Sequence, residues 1–282
     1  MNITFIHSSS DSNNFIEKAL QLFPFLKIKS RTKQCSIFES DVNITTDIKT
    51  AIRNFSISYA TDLIISPHEF NPTQIKILAI DMDSTLINIE CIDEIAREVG
   101  LEKEVSKITE LTMNGEIKDF SESLKLRVKL LKGVPLSALE HVYNNKLKFN
   151  PGAVNLLSSA KLRGWKTILV SGGFDFFTNQ LKEKLNFNDA FANQLEIVNG
   201  SLTGGIVGTI IDGKQKAEIV GKCALKYGYT TKNALVIGDG ANDLPMMSCA
   251  GLSIGYRAKT IVKEKADGFL DFAGLDIILS IF

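Results

Sequence analysis

The chain has 282 residues, 44% of them hydrophobic and 23% charged, which is enough to build one large or two ordinary domains around a packed core. Lys and Arg together number 32, as do Asp and Glu, and this balance argues against nucleic acid or an anionic membrane as the main partner. The sequence has no apolar run of the roughly 18 to 20 residues that a membrane helix needs.

The cellular compartment is predicted from the N-terminus and the cysteines. The first residues lack the basic and apolar regions of a signal peptide. The four cysteines lie far apart without a CxxC pair, which favours buried thiols in a reducing compartment over a zinc site or a disulfide framework: Cys35, Cys91, Cys223 and Cys249. We therefore expect a cytoplasmic protein.

Apolar patterning in residues 1–70 predicts a small α+β extension. Its elements are expected in the order strand, helix, one or two strands, helix, strand: Asn2–His7, Asn14–Phe23, Leu26–Phe38, Asp47–Phe55 and Thr61–Ser66. Residues 67–72, which begin and end with proline, are expected to connect this extension to the rest of the chain. The extension contains no ligand motif, so regulation, formation of a homodimer and scaffolding all remain open as its role.

The pattern changes in residues 75–282, which are predicted to form one α/β domain. Short, nearly continuous apolar runs are typical of strands buried on both faces of a parallel sheet, and three occur here: Ile75–Asp81, Thr167–Val170 and Ala234–Ile237. Each run ends in a polar or small-residue turn before a predicted helix. Strands that alternate with helices predict a doubly wound parallel sheet, in which ligands bind beyond the carboxyl ends of the strands.

Two further features of this domain are predicted from helical spacing and turn residues. Residues 91–149 show helical spacing almost throughout and are expected to form a helical cap inserted over the sheet's active edge. The next helix is expected to have Asn150 as its N-cap, Pro151 at its first position and Gly164 at its end. The pairs Asn199-Gly200 and Gly204-Gly205 are expected to form tight turns in a hairpin.

Two acidic turns follow predicted buried strands. Asp81 and Asp83 stand two residues apart at the end of the first, so that one carboxylate could attack phosphorus while the other holds or returns a proton. Asp239, Asn242 and Asp243 follow the third strand, and hard oxygen ligands of this kind suit Mg²⁺. Either turn alone could be an ordinary acidic turn or helix cap, but two such turns at parallel strand ends favour a catalytic site.

A third turn, Ser171-Gly172-Gly173, offers a hydroxyl and backbone N–H groups where a helix is expected to begin, which is a natural phosphate site. Lys216, at the start of a predicted helix, could add a positive charge to bind the phosphate. A surface role is the simpler interpretation of any one lysine, and Lys214 and Lys222 are nearby rivals.

Together these motifs resemble the haloacid dehalogenase superfamily: Asp81-x-Asp83-x-Thr85, Ser171, Lys216, and Gly238-Asp239-Gly240-x-Asn242-Asp243. Within that superfamily, the strings Asp81–Glu90 and Val170–Phe174 are similar to the phosphoserine phosphatase family. The resemblance covers the chain from about residue 75 onward. It implies hydrolysis of O-phospho-L-serine, the last step of serine biosynthesis, through an aspartyl-phosphate.

The resemblance also implies a role for each matching residue. Asp81 would attack phosphorus, and Asp83 would protonate the leaving serine oxygen and then activate water. Mg²⁺ would lie between Asp81, the backbone carbonyl of Asp83 and Asp239. Asn242 and Asp243 would position the ligands of the metal. Ser171, Gly172 and Lys216 would bind the phosphoryl oxygens.

Recognition of the amino acid is expected in the cap. Glu90 matches the family's partner for the substrate ammonium and Arg127 its partner for the carboxylate, while Met113 and Phe120 match apolar positions over the ligand. Helical spacing puts Arg127 on a face with apolar residues, where its charge needs a partner, although an arginine that extends past them to water fits equally well. The stretch between Met113 and Phe120 is one residue longer than the family pattern, which weakens the match of Met113.

Two alternatives stay open from the sequence. A phosphatase of the same superfamily could act on another small phosphomonoester, against which the presence of Glu90 and Arg127 argues. A non-catalytic amino-acid-binding regulator could use the same core, against which the complete set of nucleophile, acid/base, phosphate and metal residues argues.

Overall fold

A computed structural model describes residues 1–7, 12–113, 116–117 and 119–282. The strands are β1 Asn2–Ile6, β2 Leu26–Arg31, β3 Cys35–Ser40, β4 Asp62–Ile65, β5 Ile77–Ile80, β6 Lys166–Phe174, β7 Asp189–Val198, β8 Ser201–Val207, β9 Ala234–Gly238, β10 Leu252–Tyr256 and β11 Gly268–Leu270. The helices are α1 Ser12–Leu22, α2 Thr46–Ser58, α3 Cys91–Glu98, α4 Glu102–Met113, α5 Phe120–Leu130, α6 Leu136–Asn145, α7 Ala153–Leu162, α8 Asp175–Leu185, α9 Gly213–Lys226, α10 Leu244–Cys249 and α11 Thr260–Lys265.

All the strands named above belong to one sheet, in the order β2-β3-β1-β4-β11-β10-β9-β5-β6-β7-β8. The six strands from β11 to β7 pair in parallel, and the flanking pairs are antiparallel. The side chains of β5 alternate between two core clusters, one on each face of the sheet. Leu78 and Ile80 belong to the first cluster, and Ile77 and Ala79 belong to the second. The predicted α/β fold with a doubly wound, largely parallel sheet is confirmed.

In the N-terminal 70 residues the predicted order of elements is confirmed, with two strands between the helices. The last strand of this N-terminal part, β4, pairs antiparallel with β1 on one side and with β11 of the parallel strands on the other. Phe269 of β11 packs in the same core cluster as Phe5 and Leu63. The fully buried Asp62 carboxylate accepts backbone hydrogen bonds from residues 271–273, at 2.6, 3.1 and 2.8 Å.

The division of the chain near residue 71 stays a prediction, and these contacts indicate how it would be tested. A chain shortened to begin at Asn71 should still contain every predicted site residue but should have a lower free energy of unfolding, because it exposes Phe269 and leaves the hydrogen bonds to Asp62 unmade. A hydrogen bond to a charged group is worth about 1.5 to 3 kcal/mol, so Asp62→Ala should destabilise the full chain in the same direction.

Urea unfolding would measure both effects. Asp41→Ala is the matched control, since Asp41 pairs with Lys27 on the surface and such surface pairs contribute little. A shortened chain as stable as the full one would show that residues 1–70 are an independent extension.

The cap and the turns agree with the sequence in part. The described part of residues 91–145 contains helices α3 to α6, and a bridge from Ile87 to Phe149 closes the base of the insertion. Asn199-Gly200 forms the predicted two-residue turn, since Val198 pairs with Ser201. The second predicted turn is wrong: Gly204 and Gly205 lie inside β8, where Gly204 has φ +85° and packs against the backbone of Lys129. There the glycine permits a close approach to the cap rather than a reversal of the chain.

Two smaller predictions are also wrong. Helix α7 begins at Ala153 after Gly152, two residues later than the prediction from Asn150 and Pro151, although the left-handed Gly164 follows its end as predicted. Cys249 is exposed, whereas the other three cysteines are buried as free thiols. Among the described residues, no helix is both long and apolar enough to cross a membrane.

Candidate active site

The first acidic turn directly follows β5, so Asp81 lies at the carboxyl edge of the sheet and is 4% exposed. The chain then reverses sharply at Ser84, which has φ +55°. The buried Asn150 amide holds this turn, because its Nδ2 donates to the carbonyl oxygens of Ser84, Thr85 and Ile87 at 3.2, 2.9 and 2.9 Å. Asn150 thus fixes the first acidic turn instead of capping a helix.

The second acidic turn follows β9, the strand next to β5. The fully buried Asp243 holds it together: one carboxylate oxygen, Oδ2, accepts the backbone N–H groups of Asp239 and Gly240, each at 3.1 Å. A Cβ at Gly238 would overlap the Asp243 carboxylate, so glycine is required at the end of this strand. The Asp239 carboxylate also accepts the Thr85 hydroxyl at 3.3 Å, which links the two turns.

Carboxylate oxygens of Asp81, Asp239 and Asp243 lie within 4.8 Å of one another. Both Asp243 oxygens are engaged, Oδ2 by the turn and Oδ1 by the ammonium of Lys216. Asp81 and Asp239 are therefore the members with oxygens left to bind a cation. A cluster of hard oxygen donors at the end of two parallel strands fits a divalent metal ion.

Lys216 is fully buried between two of these carboxylates. Its Nζ donates to Asp81 at 2.5 Å and to Asp243 at 2.7 Å, and both contacts raise its pKa. It lies in the first turn of α9, where the Asp212 side chain caps the helix by accepting the N–H of Gln215 at 2.8 Å. Of the three candidate lysines, Lys216 reaches the acidic cluster, Lys214 lines the open cavity, and Lys222 lies near Glu218 on the surface.

The charged groups around Asp81 have opposite effects on its pKa. Burial and the nearby carboxylates raise its pKa, while Lys216 lowers it. Burial also raises the pKa of Asp83, which favours the protonated form that a general acid needs. Asp239 has its pKa raised to about 7 by burial and by the charge of Asp243. A bound cation would act in the same direction as Lys216 and keep Asp81 ionised.

The side chains of Asp83 and Ser171 lie next to each other, beside the first acidic turn. The Asp83 carboxylate accepts the backbone N–H of Cys91 at 3.0 Å and lies 3.5 Å from the Ser171 hydroxyl. The helix predicted at Ser171 starts later, because β6 continues through the glycines to Phe174 and α8 begins at Asp175. A Cβ at Gly173 would overlap the Asp83 carboxylate, so this strand end must be glycine.

Residues of the cap and of the strand ends line a cavity of about 970 Å³ over these residues. Most of the predicted site residues line it: Asp81, Asp83, Glu90, Phe120, Arg127, Gly172, Asp239 and Asn242. Ser171 and Lys216 are fully buried. A Cβ at Gly172 would lie only 3.0 Å from the Phe120 ring, which places that ring directly over the strand end. The side chain of Met113 lies outside the described residues.

Glu90 and Arg127 bring opposite charges into this cavity. Glu90 precedes α3 and accepts the Ser84 hydroxyl at 2.7 Å. Glu90 keeps an exposed surface, but partial desolvation by the surrounding residues and the charge of Asp83 raise its pKa to about 7. Arg127 lies on α5, where burial lowers its pKa. A cavity with a carboxylate, a guanidinium and a metal-binding cluster can accept a zwitterion that also carries a phosphate.

Comparison with known proteins agrees with this geometry. The model of the haloacid dehalogenase-like hydrolase family matches residues 78–248, more than half of the chain. The phosphoserine phosphatase of Archaeoglobus fulgidus is 43% identical over 238 residues, which cover 83% of this chain and 69% of that protein. The chain belongs to the phosphoserine phosphatase family of the haloacid dehalogenase-like hydrolases. All the residues of the two acidic turns and Lys216 fall within the matched range.

Two solved structures resemble this phosphatase over nearly its whole length. A HAD family hydrolase from Salmonella enterica serovar Typhi has a TM-score of 0.90 and 33% identity, covering 99% of this chain and 97% of its own. A probable phosphoserine phosphatase from Vibrio cholerae, in unliganded form, has a TM-score of 0.80 and 35% identity, covering 99% and 85%. The N-terminal unit is therefore part of the shared architecture.

The lining of the cavity includes residues that were not predicted from the sequence, and Asp93 and Lys259 are two of them. Asp93 lines the cavity three residues after Glu90 on the same helix, and this helical spacing was a usable signal. Lys259 also lines the cavity, and its backbone N–H donates to the carbonyl oxygen of Asp239 at 3.0 Å. Its only signal was its place after β10, a parallel strand whose carboxyl end meets the same edge of the sheet.

Proposed function

We propose that this phosphatase hydrolyses O-phospho-L-serine to L-serine and phosphate, the last step of serine biosynthesis, and that it uses Mg²⁺. The observation that carries the proposal is the joint presence of Glu90 and Arg127 in the cavity above the acidic turns. Relatives that carry the name phosphoserine phosphatase and are 43% or more identical support it. The same proposal places the enzyme in the cytoplasm.

Binding orients the substrate by its charges. Arg127 can bind the carboxylate with two parallel hydrogen bonds, and Glu90 can accept hydrogen bonds from the ammonium. The phosphoryl group then reaches the strand ends, where the Ser171 hydroxyl and the backbone N–H of Gly172 can donate to its oxygens. Phe120 covers this end of the cavity and limits access of water.

In the first half-reaction, an ionised oxygen of Asp81 attacks phosphorus. The bond between phosphorus and the serine oxygen breaks, and the Asp83 carboxyl gives its proton to that oxygen. L-serine therefore leaves with its hydroxyl group protonated. The covalent product is the acyl phosphate of Asp81. Lys216, fixed between Asp81 and Asp243, supplies positive charge next to the group on which negative charge develops.

In the second half-reaction, the Asp83 carboxylate takes a proton from a water molecule as the oxygen of that water attacks phosphorus. The bond between phosphorus and the Asp81 oxygen breaks, and inorganic phosphate leaves. Asp83 regains its proton and Asp81 its charge, so the enzyme returns to its starting state. One residue serves first as acid and then as base because its pKa is raised by burial.

The residues that would hold Mg²⁺ are Asp81 and Asp239 through their carboxylates and Asp83 through its backbone carbonyl, with Asn242 and Asp243 positioning them. When bound, the ion neutralises negative charge on the phosphoryl group and makes attack by a carboxylate easier. Chelation should therefore abolish phosphate release, and added Mg²⁺ should restore it. Ca²⁺ should bind and inhibit, because its larger and looser ligand shell disturbs the alignment of the reacting groups. Full activity in the presence of the chelator would contradict the metal assignment.

A substrate panel tests the choice of phosphoserine. Phosphate release should be measured with L-phosphoserine, phosphothreonine, sugar phosphates and an aryl phosphate. L-phosphoserine should have the highest kcat/KM: the sugar and aryl phosphates lack both charges of the amino acid, and phosphothreonine carries them but adds a methyl group at the carbon that bears the phosphate. A higher kcat/KM for a sugar phosphate would favour a phosphatase of the same superfamily with another substrate.

A further inference from the structure

Arg127 is incompletely paired in the structure. Its Nε donates to the carbonyl oxygen of Ser123, one turn back on its own helix, at 3.4 Å. No carboxylate of the described residues lies within 4.0 Å of its guanidinium. A guanidinium has five N–H donors in a rigid plane, and a substrate carboxylate bound to one edge would use two of them. The rest of the plane needs another partner to hold its orientation.

Asp93 is also incompletely paired, in the same cavity. It stands in the first turn of α3, three residues after Glu90, and faces the cavity with it. Its Oδ1 is buried and makes no hydrogen bond within the described part of the chain. The adjacent Glu94 pairs instead with Arg97 on the same helix. A buried carboxylate oxygen without a donor costs free energy, so this atom is placed to receive one.

The electrostatic environment links the two residues. Burial raises the pKa of Asp93, and the largest opposing influence is the positive charge of Arg127, ahead of Arg97. Burial lowers the pKa of Arg127, and the largest opposing influence is Asp93, ahead of Glu90. Each is therefore the strongest counter-charge of the other, although they do not touch.

We propose that Asp93 is a positioning residue for Arg127. When the substrate is bound, the Asp93 carboxylate accepts from one edge of the guanidinium and so turns the other edge toward the carboxylate of the substrate. The proposal rests on the proposed function, since it assigns Arg127 to a substrate carboxylate. It differs from a purely structural role, in which a negative charge in the first turn of α3 would stabilise the helix N-terminus by about 0.3 to 1 kcal/mol with no effect on recognition.

Asp93→Asn tests the proposal, because it removes the charge and keeps the shape. The kcat/KM for L-phosphoserine should fall roughly tenfold, mainly through a higher KM, and the loss for an aryl phosphate should be much smaller. In an Arg127→Ala background, the same substitution should have little further effect, because there is no guanidinium left to orient. Glu94→Gln, which removes a negative charge from the next position of α3, is the matched control and should behave like the wild type.

The outcomes separate this proposal from the proposed function. If the wild-type enzyme does not hydrolyse L-phosphoserine, the proposed function itself is wrong. If it does hydrolyse that substrate, additive effects of Asp93→Asn and Arg127→Ala would overturn the positioning role and indicate a direct contact with the substrate ammonium. Equal losses for both substrates, or a similar loss in Glu94→Gln, would overturn it in favour of a structural role.

Discussion

Replacing Asp81 with Asn should reduce phosphate release by roughly four orders of magnitude or more, because an amide cannot form the acyl-phosphate. The fold should persist, since Asn has the same shape and its oxygen can still accept from Lys216, which donates to Asp81 at 2.5 Å. Steady-state phosphate release, together with a thermal melting curve, would measure the two properties. Asp189→Asn is the matched control, because Asp189 pairs with Lys226 and Tyr227 outside the cavity.

Asp83→Asn should give a different result in the same assay. Affinity for Mg²⁺ should be largely retained, because the expected ligand at this position is a backbone carbonyl. Both half-reactions should slow, since the amide can neither donate the proton to serine nor accept one from water. An Asp81→Asn enzyme with near-normal turnover, or an Asp83→Asn enzyme that loses the metal, would contradict the roles assigned to the two acids.

Arg127→Ala and Glu90→Gln should each reduce kcat/KM for L-phosphoserine by roughly two to three orders of magnitude. Removing a charged hydrogen-bond partner in a desolvated site costs about 2 to 5 kcal/mol, and each of these residues is proposed to bind one charge of the amino acid. Hydrolysis of an aryl phosphate, which has neither charge, should fall far less. The ratio of the two kcat/KM values therefore separates recognition of the amino acid from the chemistry at phosphorus.

The comparison has a clear contrary result. If both substrates lose activity equally, Glu90 and Arg127 are structural or catalytic, and the choice of phosphoserine loses its main support. Lys222→Ala provides a control for loss of a charge without loss of a site contact, because Lys222 is exposed on the surface near Glu218.

The sequence predicted the fold and the positions of the acidic turns because both follow from local patterns. The four residues before Asp81 are all apolar, as a strand covered on both faces must be, and the structure buries all of β5. Once β5 and β9 are parallel neighbours, their carboxyl ends must meet, so Asp81 and Asp239 had to approach one another. The resemblance to a known family, rather than periodicity, singled out Lys216 and Arg127 among the other basic residues.

The missed features depend on contacts between distant parts of the chain. Asn150 has the local pattern of a helix cap, yet its side-chain amide donates hydrogen bonds to three backbone carbonyl groups that lie more than 60 residues earlier in the chain. Gly204 has the local pattern of a turn, yet it accommodates the backbone of the cap. The joining of β4 to β11 likewise has no local signal, because a strand's pattern does not specify its partner.

Trapping the covalent intermediate formed from L-phosphoserine tests the central claim most directly. The wild-type enzyme would be mixed with L-phosphoserine and Mg²⁺, quenched in acid within the first turnover, digested and mapped by mass spectrometry. Phosphate is expected on the peptide that contains Asp81, and it should be absent in Asp81→Asn and when Mg²⁺ is omitted. Phosphate on any other residue, or release of phosphate from L-phosphoserine with water attacking directly and no labelled peptide at any quench time, would contradict the account.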